Sequence, residues 1–169
     1  KCEFLNFEIV WIRKKLFFSE NFRDNFNKCL SNNKIRFIII PLGIELETGN
    51  HANYLIFDKK IYEIERFEPY GSEPPYKFNY DMKLLDNILS YHFTEIDNRI
   101  KYINTSNYLP KIGFQYYDIY ESKTGKIGDP GGFCALWSIW YVDNRLKYPD
   151  IARKSLVKKL IKEIKIKNI

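Results

Sequence analysis

The stretch HANYLIFDKKIYEIERFE, residues 51–68, decides the fold. Two runs rich in β-formers, Ala52 to Phe57 and Ile61 to Phe67, flank the polar Asp58-Lys59-Lys60 and predict an antiparallel hairpin. A turn centred between Lys59 and Lys60 sets His51 opposite Glu68, Leu55 opposite Ile64 and Phe57 opposite Tyr62, all on one face. In that register the Cβ atoms of His51 and Glu68 stand about 5 Å apart, within reach of a carboxylate–imidazole bond. The Pro/Gly-rich segment Pro69 to Pro75 then ends the sheet signal.

Outward from the hairpin, helix and strand patterns alternate. Ile35 to Ile40 is a continuous apolar run, the pattern of a buried strand, and Glu8 to Phe18 is again rich in β-formers. Between them, Asn21 to Leu30 places Phe22, Phe26, Cys29 and Leu30 at helical spacing. Asp81 to Ile96 carries Leu84, Leu85, Ile88, Leu89, His92, Phe93 and Ile96 along one helix face. Phe114 to Tyr120 predicts a further strand and Glu121 to Asp129 a polar loop. The run Asp129-Pro130-Gly131-Gly132 opens an apolar helix from Cys134 to Leu146, and a basic helix follows over about 150–167. The expected class is α+β, a central antiparallel or mixed sheet flanked by helices. Residues 1–169 are expected to form one domain, and the absence of an initiator Met suggests a start inside a longer protein.

With 45% hydrophobic residues and 13 Phe, 13 Tyr and 3 Trp, the chain has ample material for a packed core, which excludes disordered and collagen-like classes. No apolar run approaches the roughly 18 residues of a membrane span. The net charge of +6 is local, because Ile151 to Ile169 holds seven basic residues against one acid while the remainder is neutral. Three cysteines, at 2, 29 and 134, lack the spacing of zinc or redox pairs. A reducing compartment is therefore expected, with no secretion, metal or cofactor.

The chemistry-bearing residues are few. Nucleophilic catalysis by a thiol needs a base and a group to orient it. Cys2 is terminal, Cys29 is in phase with an apolar helix face, and His92 falls on the apolar face of its own helix, which leaves Cys134 with His51. Cys134 is expected in the first turn of its helix, where the dipole favours a thiolate, although a packed core cysteine fits the position equally. Glu68 would fix the His51 tautomer. Gln115, the single glutamine, is a candidate oxyanion donor and equally a plain strand residue.

At His51, Glu68, Gln115 and Cys134 the chain resembles the adenain and Ulp1-like cysteine peptidases, whose order is His, acid, Gln, Cys. Arg66-Phe67-Glu68-Pro69-Tyr70-Gly71 is similar to the adenoviral Phe-Glu-Pro-Phe-Gly segment. Gly132-Phe133-Cys134-Ala135-Leu136-Trp137-Ser138 resembles members encoded by large DNA viruses, a source compatible with 23 Ile and 15 Asn. The resemblance implies a papain-like/Ulp1-like fold with the nucleophile at the start of a buried helix. It implies a thiol protease or isopeptidase acting after a Gly-Gly C-terminus of ubiquitin or a ubiquitin-like modifier, or on a viral polyprotein. Cys134, His51, Glu68 and Gln115 would be catalytic, and Gly131, Gly132, Trp11 and Asn53 would contact substrate. Ala52 replaces the tryptophan that often follows the histidine, and Gln115 precedes Cys134 by 19 residues where six or seven are usual.

A monomer is expected. The rival expectation is a non-catalytic module that binds protein or nucleic acid through the basic helix. There Lys154, Lys158, Lys162 and Lys165 recur opposite Leu156, Leu160 and Ile164.

Overall fold

The computed structural model describes residues 5, 7–121 and 133–167. The hairpin of the sequence reading is present as β4 (Gly49–Asp58) and β5 (Glu63–Phe67), but its register is offset by two residues. Leu55 pairs with Arg66 and Phe57 with Ile64. The turn is longer than a two-residue one: Asp58 Oδ1 accepts the Lys60 N–H at 3.0 Å, and Tyr62 takes the left-handed conformation with φ 56°. A shift of two leaves every side chain on its expected face, because strand side chains alternate with period two. His51 and Glu68 therefore stay on one face as diagonal neighbours.

The remaining elements are β1 (Ile9–Ile12), β2 (Lys15–Phe18), α1 (Phe22–Leu30), β3 (Phe37–Leu46), α2 (Met82–Ile96), β6 (Lys101–Ile103), α3 (Phe114–Glu121), α4 (Phe133–Lys147) and α5 (Arg153–Lys167). The six strands form a mixed sheet in the order β2-β1-β3-β4-β5-β6, with β1–β3 and β5–β6 parallel and the rest antiparallel. β3 runs on past the expected end through Pro41. That proline lies just before the stretch paired with β1, so the missing N–H breaks no bond to that neighbour. Asp81 caps α2 by accepting the Leu84 N–H at 3.0 Å. Short β6 was invisible to pattern reading because three residues show no period.

One expected element is corrected. Phe114 to Tyr120, read as a strand from its aromatics, lies in helix α3. The Gly113 N–H donates to Tyr70 O at 2.8 Å and the Gln115 N–H to Pro69 O at 2.9 Å. Two donors at the mouth of this helix are thus satisfied by the Pro69–Tyr70 backbone, a tertiary contact that overrides β-propensity.

The sheet separates two apolar layers. On one face α1 and α2 pack Phe22, Phe26, Leu85, Leu89 and Phe93 against Leu55, Phe57 and Ile64. On the other, α3, α4 and α5 pack Phe114, Tyr141, Leu156 and Leu160 against Ile56 and Phe67, with the Phe67 and Tyr141 rings stacked at 4.1 Å. The second layer also holds buried charge. Arg145 Nε donates to Glu65 Oε1 at 3.0 Å, Arg145 Nη2 lies 3.4 Å from Asp58 Oδ2, and the Tyr141 hydroxyl donates to Glu65 Oε2 at 2.7 Å. These bonds hold α4 to β4 and β5.

Cys29 is disulfide-bonded, whereas Cys134 is a buried thiol outside any disulfide. Cys29 is buried on the apolar face of α1 as its helical phase predicted, and the bond is an addition the spacing did not show.

Candidate functional site

His51 sits at the start of β4, opposite Ile44 of β3, which in turn neighbours Trp11 of β1. The row puts the imidazole at the mouth of the sheet on its α1/α2 face. Glu68 follows β5 directly. The His51 Nε2 lies 2.7 Å from Glu68 Oε1 and 2.9 Å from Oε2, with both side chains essentially buried. Three further donors reach the same carboxylate: the Asn53 amide at 2.9 Å, the Tyr80 hydroxyl at 2.6 Å and the Tyr70 N–H at 3.1 Å. Burial pushes the Glu68 carboxyl up, but the His51 imidazole, the Tyr80 hydroxyl and the Arg66 guanidinium more than offset it and hold the carboxyl below its ordinary value.

Behind Glu68 lies an Arg66–Asp86 ion pair that the sequence reading missed. Arg66, fully buried, donates through Nε and Nη2 to Asp86 of α2 at 2.8 and 3.1 Å, and through Nη1 to Asn53 Oδ1 at 2.7 Å. The Tyr102 hydroxyl completes the group on Asp86. The signal was present: Arg66 shares strand parity with inward-facing Ile64, and a buried guanidinium requires a partner.

The expected residues are distributed as follows. His51, Glu68 and Asn53 form one bonded group, but Asn53 is buried and its amide is engaged inside that group, which corrects its expected contact with substrate. Gln115 borders the group through its N–H bond to Pro69. Cys134 is the second residue of α4, buried, on the helix that packs against β4, the strand of His51. Gly131 and Gly132 lie outside the described residues. Trp11 lines, with Phe78 and Tyr80, a cleft of about 400 Å³, and the Phe78 ring is 4.8 Å from that of His51. His51 Nδ1, Gln115 Oε1 and Ser138 Oγ are buried without a hydrogen-bond partner among the described residues. Chemically, an imidazole held by a carboxylate through Nε2 can take or release a proton only at Nδ1.

This pair yields a pH prediction. A carboxyl whose folded value lies below its unfolded value of 4.5 stabilises the fold above 4.5 and loses that contribution as pH falls through the folded value. Glu68→Gln is expected to be less stable than wild type at neutral pH, with the gap closing as the pH falls below 4.5. Urea unfolding of both proteins along that range reads the gap directly, and a gap independent of pH would refute the assignment.

A second feature lies on the opposite side of α4. Cys134, Ser138, Tyr141, Val142 and Arg145 face inward. Phe133, Leu136 and Ile139 point away and are 51%, 59% and 51% exposed. Phe133 to Val142 is apolar but for Ser138 and reads as buried in sequence, so this outer face was not anticipated.

The chain is 44% identical over 172 residues to a protein of Acanthamoeba polyphaga mimivirus named as an ankyrin repeat protein, an alignment covering 97% of this chain and 22% of the relative. The chain thus has a viral relative and spans about a fifth of its length. No family model and no solved structure matches. The relative overturns the expected deconjugating thiol peptidase, since it is named for repeats, an architecture that stacks into binding surfaces, and not for hydrolysis. The described residues themselves form a mixed sheet with helices on both faces and contain no stacked helix-pair repeat.

Proposed function

We propose that the chain is a protein-recognition module on a papain-like/Ulp1-like scaffold, with its partner seated on the outer face of α4. The observation that carries this reading is the exposure of Phe133, Leu136 and Ile139 along one side of a helix whose other side is locked to the sheet. Apolar side chains grouped on a surface mark sites of association, and a rigid helix presents them at little entropic cost. The name of the viral relative points the same way, toward binding. The scaffold assignment is supported by the chain order His51, Glu68, Gln115, Cys134 and by the His51–Glu68 contact.

The test is a double variant, Leu136→Asp with Ile139→Asp, compared with wild type by quantitative cross-linking and mass spectrometry in cells expressing the chain. Both positions are exposed, so the melting temperature is expected to stay within about 2 °C. Partners held through this face are expected to lose about 30-fold or more in affinity, the effect of truncating a central contact. An unchanged partner set with the variant would refute the reading.

A further inference from the structure

The outer face of α4 does not stand alone. Tyr148, one residue beyond α4, gathers a lysine from each of two helices: Lys147 Nζ lies 5.4 Å from its ring centroid and Lys159 Nζ of α5 lies 3.9 Å from it. At the other end of α5, Lys165 Nζ lies 5.2 Å over the ring of Tyr117 in α3, the helix that packs beside α4. These cation–π contacts hold the lysine stems against the helical layer, so less freedom is lost when a partner arrives. Lys158 and Lys162 are exposed on α5 as well, and Leu156, Leu160 and Ile164 of that helix are buried. The surface therefore has an apolar ridge on α4 and exposed lysines on α5, of which Lys159 and Lys165 are held against rings.

We infer that this composite surface binds an acidic amphipathic helix, one that lays apolar residues at helical spacing over Phe133, Leu136 and Ile139 and turns carboxylates toward the lysines of α5. The inference rests on the protein-recognition reading and adds the chemistry of the partner. Length suits it: Phe133 to Ile139 runs about 9 Å along the helix axis, room for about two turns of a partner. Charge selects it over two other occupants. Duplex nucleic acid would satisfy the lysines but leave the apolar ridge in water, without the gain from burial. A second copy of the chain would bring two lysine rows together, and like charges across an interface disfavour it.

The test uses synthetic helical peptides and the whole chain. One peptide carries leucines at helical spacing with glutamates along a flank, a second replaces each glutamate by lysine, and a third replaces each leucine by serine. Binding is read by fluorescence anisotropy of the labelled peptide at about 0.05 M and about 0.5 M salt. The acidic amphipathic peptide is expected to bind, and to weaken about tenfold or more with added salt and in each of the other two peptides. Lys158→Glu with Lys162→Glu should invert the preference, so that the lysine peptide binds the variant better than the glutamate peptide does. That inversion is a readout that unfolding cannot mimic.

Equal binding of the glutamate and lysine peptides would overturn the inference and leave the recognition reading standing. A duplex DNA that displaces the acidic peptide and binds more tightly would overturn it in favour of nucleic acid. Self-association of wild type that disappears in Leu136→Asp would assign the face to a second copy. If no peptide binds while Leu136→Asp with Ile139→Asp still loses its cellular partners, the partner is not an acidic helix and only the inference fails. If neither effect appears, both readings fail.

Discussion

Replacing Arg145 by Ala is expected to cost about 3–5 kcal/mol of folding stability, the largest effect of any single side-chain truncation proposed for this protein. Arg145 is 2% exposed and donates to Glu65, which is fully buried, at 3.0 Å and to Pro149 O at 2.8 Å; Asp58, 1% exposed, lies 3.4 Å away. Without the guanidinium, Glu65 keeps the Tyr141 hydroxyl and the less buried Arg153, 3.2 Å away, and Asp58 keeps Arg36, but Glu65 loses its fully buried cation, and a buried carboxylate stripped of a hydrogen-bonded partner is expensive. For a domain of this size the loss corresponds to a melting temperature lower by on the order of 10 °C. Arg145→Lys, which keeps the charge but not the planar fork, should fall between. A thermal melt followed by circular dichroism decides it, and a cost below about 1 kcal/mol would show that the network contributes little.

Gly113→Ala tests a different kind of constraint, steric and not electrostatic. A Cβ at position 113 would stand 2.3 Å from Gly71 N, 2.6 Å from Pro69 O and 2.6 Å from Tyr70 C, all backbone atoms that cannot rotate aside. The two segments must part, which breaks the bond from the Gly113 N–H to Tyr70 O and disturbs the Tyr70 N–H that holds Glu68. The expected loss is about 3 kcal/mol or more, shown as a lower urea midpoint or as failure to fold. Gly43→Ala is the control, because its Cβ would meet only the Val10 methyls at 4.0 Å. That variant should be neutral or more stable by up to about 1 kcal/mol, since the glycine there carries only an entropic cost. Equal behaviour of the two variants would contradict the close approach of Gly113 and Gly71.

Both results bear on how the site is built. Glu68 is held by four donors drawn from β4, the Tyr70 backbone and Tyr80, and the sequence reading found one of them, His51. It did so by strand parity alone, and parity survived a register that was off by two residues. Asn53 was also singled out, but for contact with substrate, and it proves to be part of the internal network. Tyr80 and Asp86 were not legible, because they come from segments far along the chain whose approach depends on how α2 packs on the sheet.

The same division runs through the fold. The positions of β4, β5, α1, α2 and α4 followed from local pattern: runs of β-formers and helical spacing of apolar residues. Helix α3 did not, since its aromatics favour a strand and only the carbonyls of Pro69 and Tyr70 offer its first turn the acceptors that make a helix cheaper. The outer face of α4 did not either. Its first ten residues are apolar but for Ser138, and which side meets the sheet is set by Arg145 reaching Glu65, a contact 80 residues apart in sequence. Local periodicity determines what each segment can become, because its energetics lie within a few residues. Which faces are left exposed, and hence what this protein can bind, is decided only when distant segments compete for the same buried partners.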